Sequence, residues 1–279
     1  MSFKNALEII NLKLALESTG HLIVDGLSFD VPVGKTVALL GESGSGKTMT
    51  SMAIMGLLPA GIRQVDGSIF VNGQDISALS SEQYRQLRNT KVSIVMQNPM
   101  SAFDPVMNIR GHFQETLASH SLTNRKEIGK RAEEILAEVG FSDPRSILEL
   151  YPFQMSGGML QRVMLAIALI SSPPLVIADE ATSDLDVLSQ ARILGILKEH
   201  CRKNHLTLLL ITHDLSVAAG LADEIVLMKD GCLVEKNTIK EFFHNPETAY
   251  AKRMLALHRG LYTPRYLKIR DNLAAGGVV

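Results

Sequence analysis

The stretch Gly41-Glu42-Ser43-Gly44-Ser45-Gly46-Lys47-Thr48 constrains this chain more than any other. It follows an apolar run, Val37–Leu40, that reads as a buried strand, and it precedes Met49–Leu58, which reads as an amphipathic helix. Strand, glycine-rich loop and helix, in that order, form the context a phosphate-binding loop requires. The glycines permit backbone conformations that turn several N–H groups inward, at the positive end of the following helix. Lys47 is expected to reach the β- and γ-phosphates of a nucleotide, and the Thr48 hydroxyl to take a place on Mg²⁺. A chance glycine-rich turn would lack such flanks. The expectation is a nucleotide-binding site.

Composition narrows the setting. With 279 residues, 46% of them apolar, the chain can bury a substantial core as one large or two modest domains. A net charge of −1 argues against a general nucleic-acid binder, and no nucleic-acid partner is expected. Two cysteines, Cys201 and Cys232, supply neither a disulfide framework nor a clustered metal site, which fits a reducing compartment. Met1–Asn5 lacks the build of a signal peptide. No run reaches the ~18 apolar residues of a membrane span. The longest, Val163–Ala178, is broken by Ser171-Ser172-Pro173-Pro174. The chain is expected to be soluble and to meet a membrane only through a partner.

Ala6–Leu16 and Val24–Val33 read as strands, and Val65–Ile76 as strands around an Asn72-Gly73 hairpin turn. Ser80 opens a short helix with Gln83 as its capping-box partner, and Val92–Met96 is a buried strand ending at Gln97. From Asn98 to about Ile170 helical periodicity dominates, in Val106–His120, Arg125–Val139 and Ser156–Ile170. Leu175–Ala178 is again a buried strand, Val187–Asn204 a helix, Leu206–Thr212 a strand and Asp214–Leu221 a helix. Ile225–Met228 and Cys232–Glu235 form a hairpin, and helices near Thr238–Phe243 and Pro246–His258 follow. Strands alternating with helices indicate an α/β fold with a largely parallel sheet, interrupted by a helical insert.

Four later features select among nucleotide chemistries. Asp179-Glu180 stands at the carboxyl end of the strand Leu175–Ala178, the edge where open α/β sheets bind ligands. Asp179 can hold Mg²⁺ there, and Glu180 can polarise an attacking water as general base. Met155-Ser156-Gly157-Gly158-Met159-Leu160-Gln161-Arg162 offers Ser156 as a helix cap, with Gly157 and Gly158 exposing amides to an anion. Gln97 and His213 each end a strand. For either residue alone, solvation or packing is the commoner explanation.

Taken in order, Gly41–Thr48, Gln97, Ser156–Arg162, Asp179-Glu180, Asp184-Leu185-Asp186 and His213 resemble the full motif set of an ABC transporter ATPase, and the likeness runs from about Leu7 to Leu257. The resemblance implies a P-loop NTPase fold with a RecA-like core, an antiparallel β subdomain and an inserted α-helical subdomain. It divides the chain into residues 1–97 (core, β subdomain and phosphate loop), 98–170 (helical signature subdomain), 171–257 (core) and 258–279 (tail). It implies ATP and Mg²⁺, with Thr48, Gln97 and Asp179 around the metal, Glu180, His213 and Gln97 as catalytic residues, and Asp186 communicating across a dimer. Each ATP would lie between one subunit's phosphate loop and its partner's Ser156-Gly157-Gly158. The implied partners are a second ABC ATPase, as a heterodimer, two membrane permeases and an extracytoplasmic solute-binding protein. The implied location is peripheral, on the cytoplasmic face of the inner membrane.

Gln97–Pro105 and Tyr151–Gln154 resemble the peptide and nickel importer branch of that family. Leu58–Arg63 and Met159–Arg162 resemble its nickel-importing ATPases most, and no cysteine cluster follows Cys232, as it commonly does in the peptide-importing members. An importer of nickel or a metal chelate is therefore the expectation, with a dipeptide or oligopeptide importer as alternative and a soluble non-transport ABC ATPase as a more distant one. Ala181 stands where the family usually has proline, Met155 and Met159 replace its leucine and glutamine, and only His21 offers a flat ring near Ser18–Asp25 for adenine. His200-Cys201-Arg202-Lys203-Asn204-His205 looks like a metal site, but adjacent residues point to different helix faces. Arg259, Arg265, Lys268 and Arg270 make a mildly basic tail.

Overall fold

The computed structural model describes residues 4–88, 90–118, 124–183 and 185–258. The chain divides into two units, residues 1–78 with 207–279, and residues 79–206.

The first unit holds two sheets. Alternation in β1 (Asn5–Leu16) buries Leu7, Ile9, Leu12 and Leu14. Its antiparallel partners are β2 (Leu22–Pro32) and β4 (Ile62–Val71), and the sheet runs β2-β1-β4-β5 with β5 at Gln74–Asp75. Asn72 and Gly73, both at positive φ, turn β4 into β5, the hairpin turn the Asn-Gly pair predicts. In the second sheet the neighbours run β10 (Cys232–Thr238), β9 (Glu224–Lys229), β3 (Thr36–Leu40) and β8 (Thr207–Thr212). β3 pairs parallel to β8 and β9, and every residue of β3 and β8 is buried, as the unbroken apolar runs require. Leu40 faces Thr212 in that register, so the chain leaves β3 at Gly41 and β8 at His213 along the same edge. Helices α1 (Lys47–Met55), α8 (Leu215–Leu221) and α9 (Ile239–His244) complete this unit, with a further helical run at residues 249–258.

The second unit is mainly helical. β6 (Val92–Val95) and β7 (Leu175–Asp179) pair in parallel with Val95 opposite Ala178, so Met96 and Asp179 also share an edge. Around them lie α2 (Ser81–Leu87), α3 (Ile109–Ala118), α4 (Arg125–Glu138), α5 (Pro144–Glu149), α6 (Gly157–Leu169) and α7 (Val187–Asn204). Their apolar stripes supply a core that includes Phe113, Leu136, Leu148 and Leu165. The expected capping box of α2 is present: Gln83 N–H donates to Ser80 Oγ, and Ser80 N–H to Gln83 Oε1.

Two local details differ from the sequence reading. α3 begins at Ile109 rather than Val106, because Asp104 Oδ1 accepts the Val106 N–H and Asn108 Oδ1 the Gly111 N–H, leaving Val106 82% exposed. The unpredicted α5 starts from Asp143, whose side chain accepts the Ser146 N–H, with Pro144 at its first position. Asp184, His120 and the basic tail residues lie outside the described residues.

The helical run 249–258 is fixed by one buried carboxylate. Glu235, 3% exposed, accepts the N–H groups of Glu247 (3.1 Å) and Thr248 (3.0 Å) and the Thr248 hydroxyl (2.8 Å). Burial opposes its ionisation, but the hydrogen bonds from Thr248 and Glu247 outweigh that and hold its pKa below the ordinary carboxylate value. A lowered folded-state pKa gives stability that is present above the ordinary carboxylate range and lost as pH falls through the folded value. Glu235→Gln is expected to lower the unfolding free energy by about 2 kcal/mol at neutral pH. That gap should narrow on acidification, which denaturant titrations at several pH values will check.

Candidate functional site

In the first unit the glycine-rich loop closes on its own lysine. Lys47 is 5% exposed, and its ammonium donates to the carbonyls of Gly41 (2.9 Å) and Glu42 (2.8 Å) and lies 3.4 Å from Ser45 Oγ. Two glycines are dictated by space. A Cβ on Gly41 would lie 2.5 Å from the Met228 carbonyl oxygen. One on Gly46, at φ +98°, would lie 2.9 Å from Val24 Cγ2 and 3.0 Å from the Ile23 oxygen. The hairpin between β9 and β10 supports the loop from outside, with Gly231 N–H donating to the Ser45 carbonyl.

The start of α1 differs from its counterparts. α2, α4, α5, α6, α8 and α9 each place a side-chain oxygen on a first-turn N–H, from Ser80, Asn124, Asp143, Ser156, Asp214 and Thr238. α1 has Gly46 at its N-cap, with no side-chain cap and no acidic residue in its first turn. A helix N-terminus left to its backbone amides, with a buried ammonium beside it, fits a bound phosphate group.

His213 is exposed at the end of β8, between fixed points: Thr212 Oγ1 accepts the Asp214 N–H at 3.0 Å, and Asp214 Oδ1 caps α8 through the Ser216 N–H at 2.7 Å. The register of β3 and β8 thus brings His213 and the phosphate loop to one sheet edge. His21 is exposed in the turn between β1 and β2. Tyr250 escaped the sequence reading. Its hydroxyl is buried, burial and then the Glu42 carboxylate push its pKa up, and Lys229 Nζ lies 5.2 Å from its ring centroid. A tyrosine on a helix 208 positions after Glu42 leaves no local signal of that proximity.

In the second unit, Asp179 is the last residue of β7 and 5% exposed, while Glu180 follows at φ +49°, in the left-handed region. The Ser183 hydroxyl donates to Glu180 Oε2, and Ser183 N–H to the Glu180 carbonyl. Gln97 is exposed, two residues past the end of β6, so Gln97, Asp179 and Glu180 follow from one edge of the β6–β7 pair. Ser156 caps α6 through the Met159 N–H at 3.3 Å. Ser156 and Gly157 are exposed, and a Cβ on Gly157 would meet nothing within 4 Å. Behind this turn, Arg162 lies 4.0 Å above the Phe141 ring and donates to the carbonyls of Gly140 (3.1 Å) and Gly158 (3.4 Å). Burial, and then Arg192, lower the Arg162 pKa.

Each unit carries oxygen of the kind a magnesium ion takes: Thr48 is exposed in the first turn of α1, and in the other unit Asp179 is a buried carboxylate at a strand end. The His200 region is engaged otherwise. His200 Nε2 lies 3.3 Å from Glu138 Oε2, and its Nδ1 3.0 Å from the Asn204 amide nitrogen. Among the described residues no group of three His, Cys, Asp or Glu side chains could hold a metal.

Comparisons with known proteins bear on the family and the fold. The family profile described as ABC transporter matches residues 24–183. The oligopeptide transport ATP-binding protein AppD of Bacillus subtilis is 42% identical over 89% of this chain and 77% of its own length. The dipeptide transport ATP-binding protein DppD of the same organism is 40% identical (90% and 76%). The nickel import ATP-binding protein NikD of Rhodospirillum rubrum is also 40% identical (86% and 90%), so these relatives do not single out the nickel type. Among solved structures, the ATP-binding cassette MJ0796, a dimer with ADP and Pi, superposes at TM-score 0.72, with 23% identity over 84% of this chain and 98% of that one. CbiO1 of Clostridium perfringens gives TM-score 0.73, with 21% identity over 96% and 100%. The fold is that of an ABC ATPase cassette, as expected from the sequence.

The two glycine sites respond differently to a methyl group. Gly46→Ala forces both a left-handed backbone and a clash, and should cost roughly 2 kcal/mol or more. Gly157→Ala meets open space at a helix start and should stay within about 1 kcal/mol of the parent, on the stabilising side. Thermal unfolding of the two variants checks the contrast.

Proposed function

The chain belongs to the ABC transporter family, and from that premise we propose that it is the ATP-hydrolysing subunit of an importer in the peptide and nickel branch. One observation carries this reading: the uncapped start of α1 beside the buried ammonium of Lys47, a pocket suited to a polyphosphate. In it, Gly41, Glu42, Ser43, Gly44, Ser45, Gly46, Lys47 and Thr48 hold the phosphates of ATP. Thr48, Gln97 and Asp179 supply oxygen donors to Mg²⁺, which when bound neutralises phosphate charge. Glu180 takes a proton from the attacking water, His213 donates a hydrogen bond toward the γ-phosphate, and Gln97 positions the water. Ser156, Gly157 and Gly158 present the start of α6 to the nucleotide of a partner ATPase, so that ATP closes the pair and hydrolysis reopens it.

The imported substrate is proposed to be nickel or a nickel chelate, supported by Leu58–Arg63 and Met159–Arg162 and by 40% identity to a nickel import relative. A dipeptide or oligopeptide importer is the second reading, favoured by identities of 42% and 40% to two peptide transport relatives. Two permeases, a solute-binding protein and a second ATPase complete the assembly, with this chain on the cytoplasmic face of the inner membrane. Among the described residues, no helix is long and apolar enough to cross a membrane. The permeases are proposed to dock on residues 98–170, where Val106 is 82% and Phe153 66% exposed and Phe153 stacks on Tyr151 at 5.6 Å.

Lys47→Ala should abolish tight ATP binding through the lost charge on the phosphates, and a nucleotide titration with unchanged affinity would refute the site. Glu180→Gln should still bind ATP but turn over at least ~100-fold more slowly. Undiminished turnover removes Glu180 from its role. Exchanging Val106 and Phe153 for aspartate should leave nucleotide affinity intact and prevent co-purification with multi-span proteins from solubilised membranes. ATPase stimulation of that purified complex by nickel chelates or by peptides separates the two substrate readings.

A further inference from the structure

The side chain of Gln161 is 1% exposed on α6, five residues beyond Ser156. Its Nε2 donates to the carbonyl of Met96 at 3.1 Å, across 65 positions of sequence. Its Oε1 is buried without a hydrogen-bond partner. A buried carboxamide satisfied on one side only is uncommon, because an apolar side chain of the same volume would fill the space without leaving an acceptor unmade.

The bond sits between two parts of the proposed site. Met96 immediately precedes Gln97. On the other side of Gln97, Asn98 Oδ1 accepts the Met100 N–H at 3.0 Å, and the Asn98 carbonyl accepts the Ser101 hydroxyl at 2.8 Å, starting the short 3₁₀ turn Pro99–Ala102. Gln97 is therefore an exposed residue of a segment anchored at both flanks, and one anchor is the helix capped by Ser156.

We propose that Gln161 is a positioning residue that ties the Ser156-Gly157-Gly158 helix start to Gln97 through the Met96 carbonyl. Displacement of α6 then carries the backbone of Gln97 with it. The orphan Oε1 gives the carboxamide a second site to use when that backbone shifts. The proposal rests on the reading of Gln97 and of Ser156–Gly158 given above, and it adds that the two act as one body.

Gln161→Leu and Gln161→Met keep the volume and remove the bond. In the full-length chain, either variant should leave ATP affinity within about twofold of the parent and speed amide hydrogen exchange at residues 96–98 by roughly tenfold, as loss of one anchor implies. In the complex assembled with its partner subunits, kcat should fall about tenfold at unchanged KM, the scale of a slightly misplaced group. Added to Gln97→Ala, either substitution should reduce kcat by less than about twofold further. Unchanged exchange at 96–98, a kcat equal to the parent's in both variants, or losses that multiply fully with Gln97→Ala would each overturn the proposal. A nucleotide affinity that falls in step with kcat would do the same, pointing to general damage. Full activity of Gln97→Ala alone would remove the role of Gln97 itself, and this inference with it.

Discussion

An ammonium group enclosed by backbone oxygen atoms is the interaction around which the first unit is arranged. Lys47 is nearly inaccessible, and its charge is met by the carbonyls of Gly41 and Glu42. Burying a cation against neutral dipoles is tolerable only where the hydrogen bonds are good. That need explains why the loop is so closely specified. The Met228 carbonyl leaves no room for a side chain at position 41, and the Ile23 oxygen and Val24 side chain leave none at 46.

Parallel registers do the rest of the positioning. With Leu40 opposite Thr212, and Val95 opposite Ala178, residues distant in sequence leave their strands at matched edges. Each edge then receives a different chemistry: a lysine-bearing loop and an imidazole in one unit, two carboxylates and a carboxamide in the other. This is the general reason that ligands of α/β sheets collect beyond the carboxyl ends of strands.

Much of this was legible from short patterns. The phosphate loop, the Ser156 cap and the Asp179 strand end are each written within a few consecutive residues, because a turn or a cap depends on its own sequence. The capping box at Ser80 and Gln83 and the Asn72-Gly73 hairpin were readable for the same reason. The start of α3 lies three residues past Val106 because Asp104 and Asn108 bond their own neighbourhood, and α5, which the sequence reading does not contain, starts from the Asp143 cap. Tyr250 and Gln161 were silent for a deeper reason. What each side chain meets is decided by packing across 208 and 65 positions, and no periodicity encodes the partner. The substrate is written more faintly: Leu58–Arg63 and Met159–Arg162 resemble the nickel-importing members, while overall identity to a peptide and a nickel relative is the same 40%.

Glu180 sits at φ +49° just past the end of β7. A side chain on a left-handed backbone costs roughly 1–2 kcal/mol relative to an ordinary conformation, and glycine or asparagine would relieve it. With the main chain fixed at φ +49° and a serine three residues on grasping its oxygen, the carboxylate has few rotamers left to search. Its aim is therefore decided during folding. A fixed carboxylate at that strand end is the return on conformational freedom surrendered in advance.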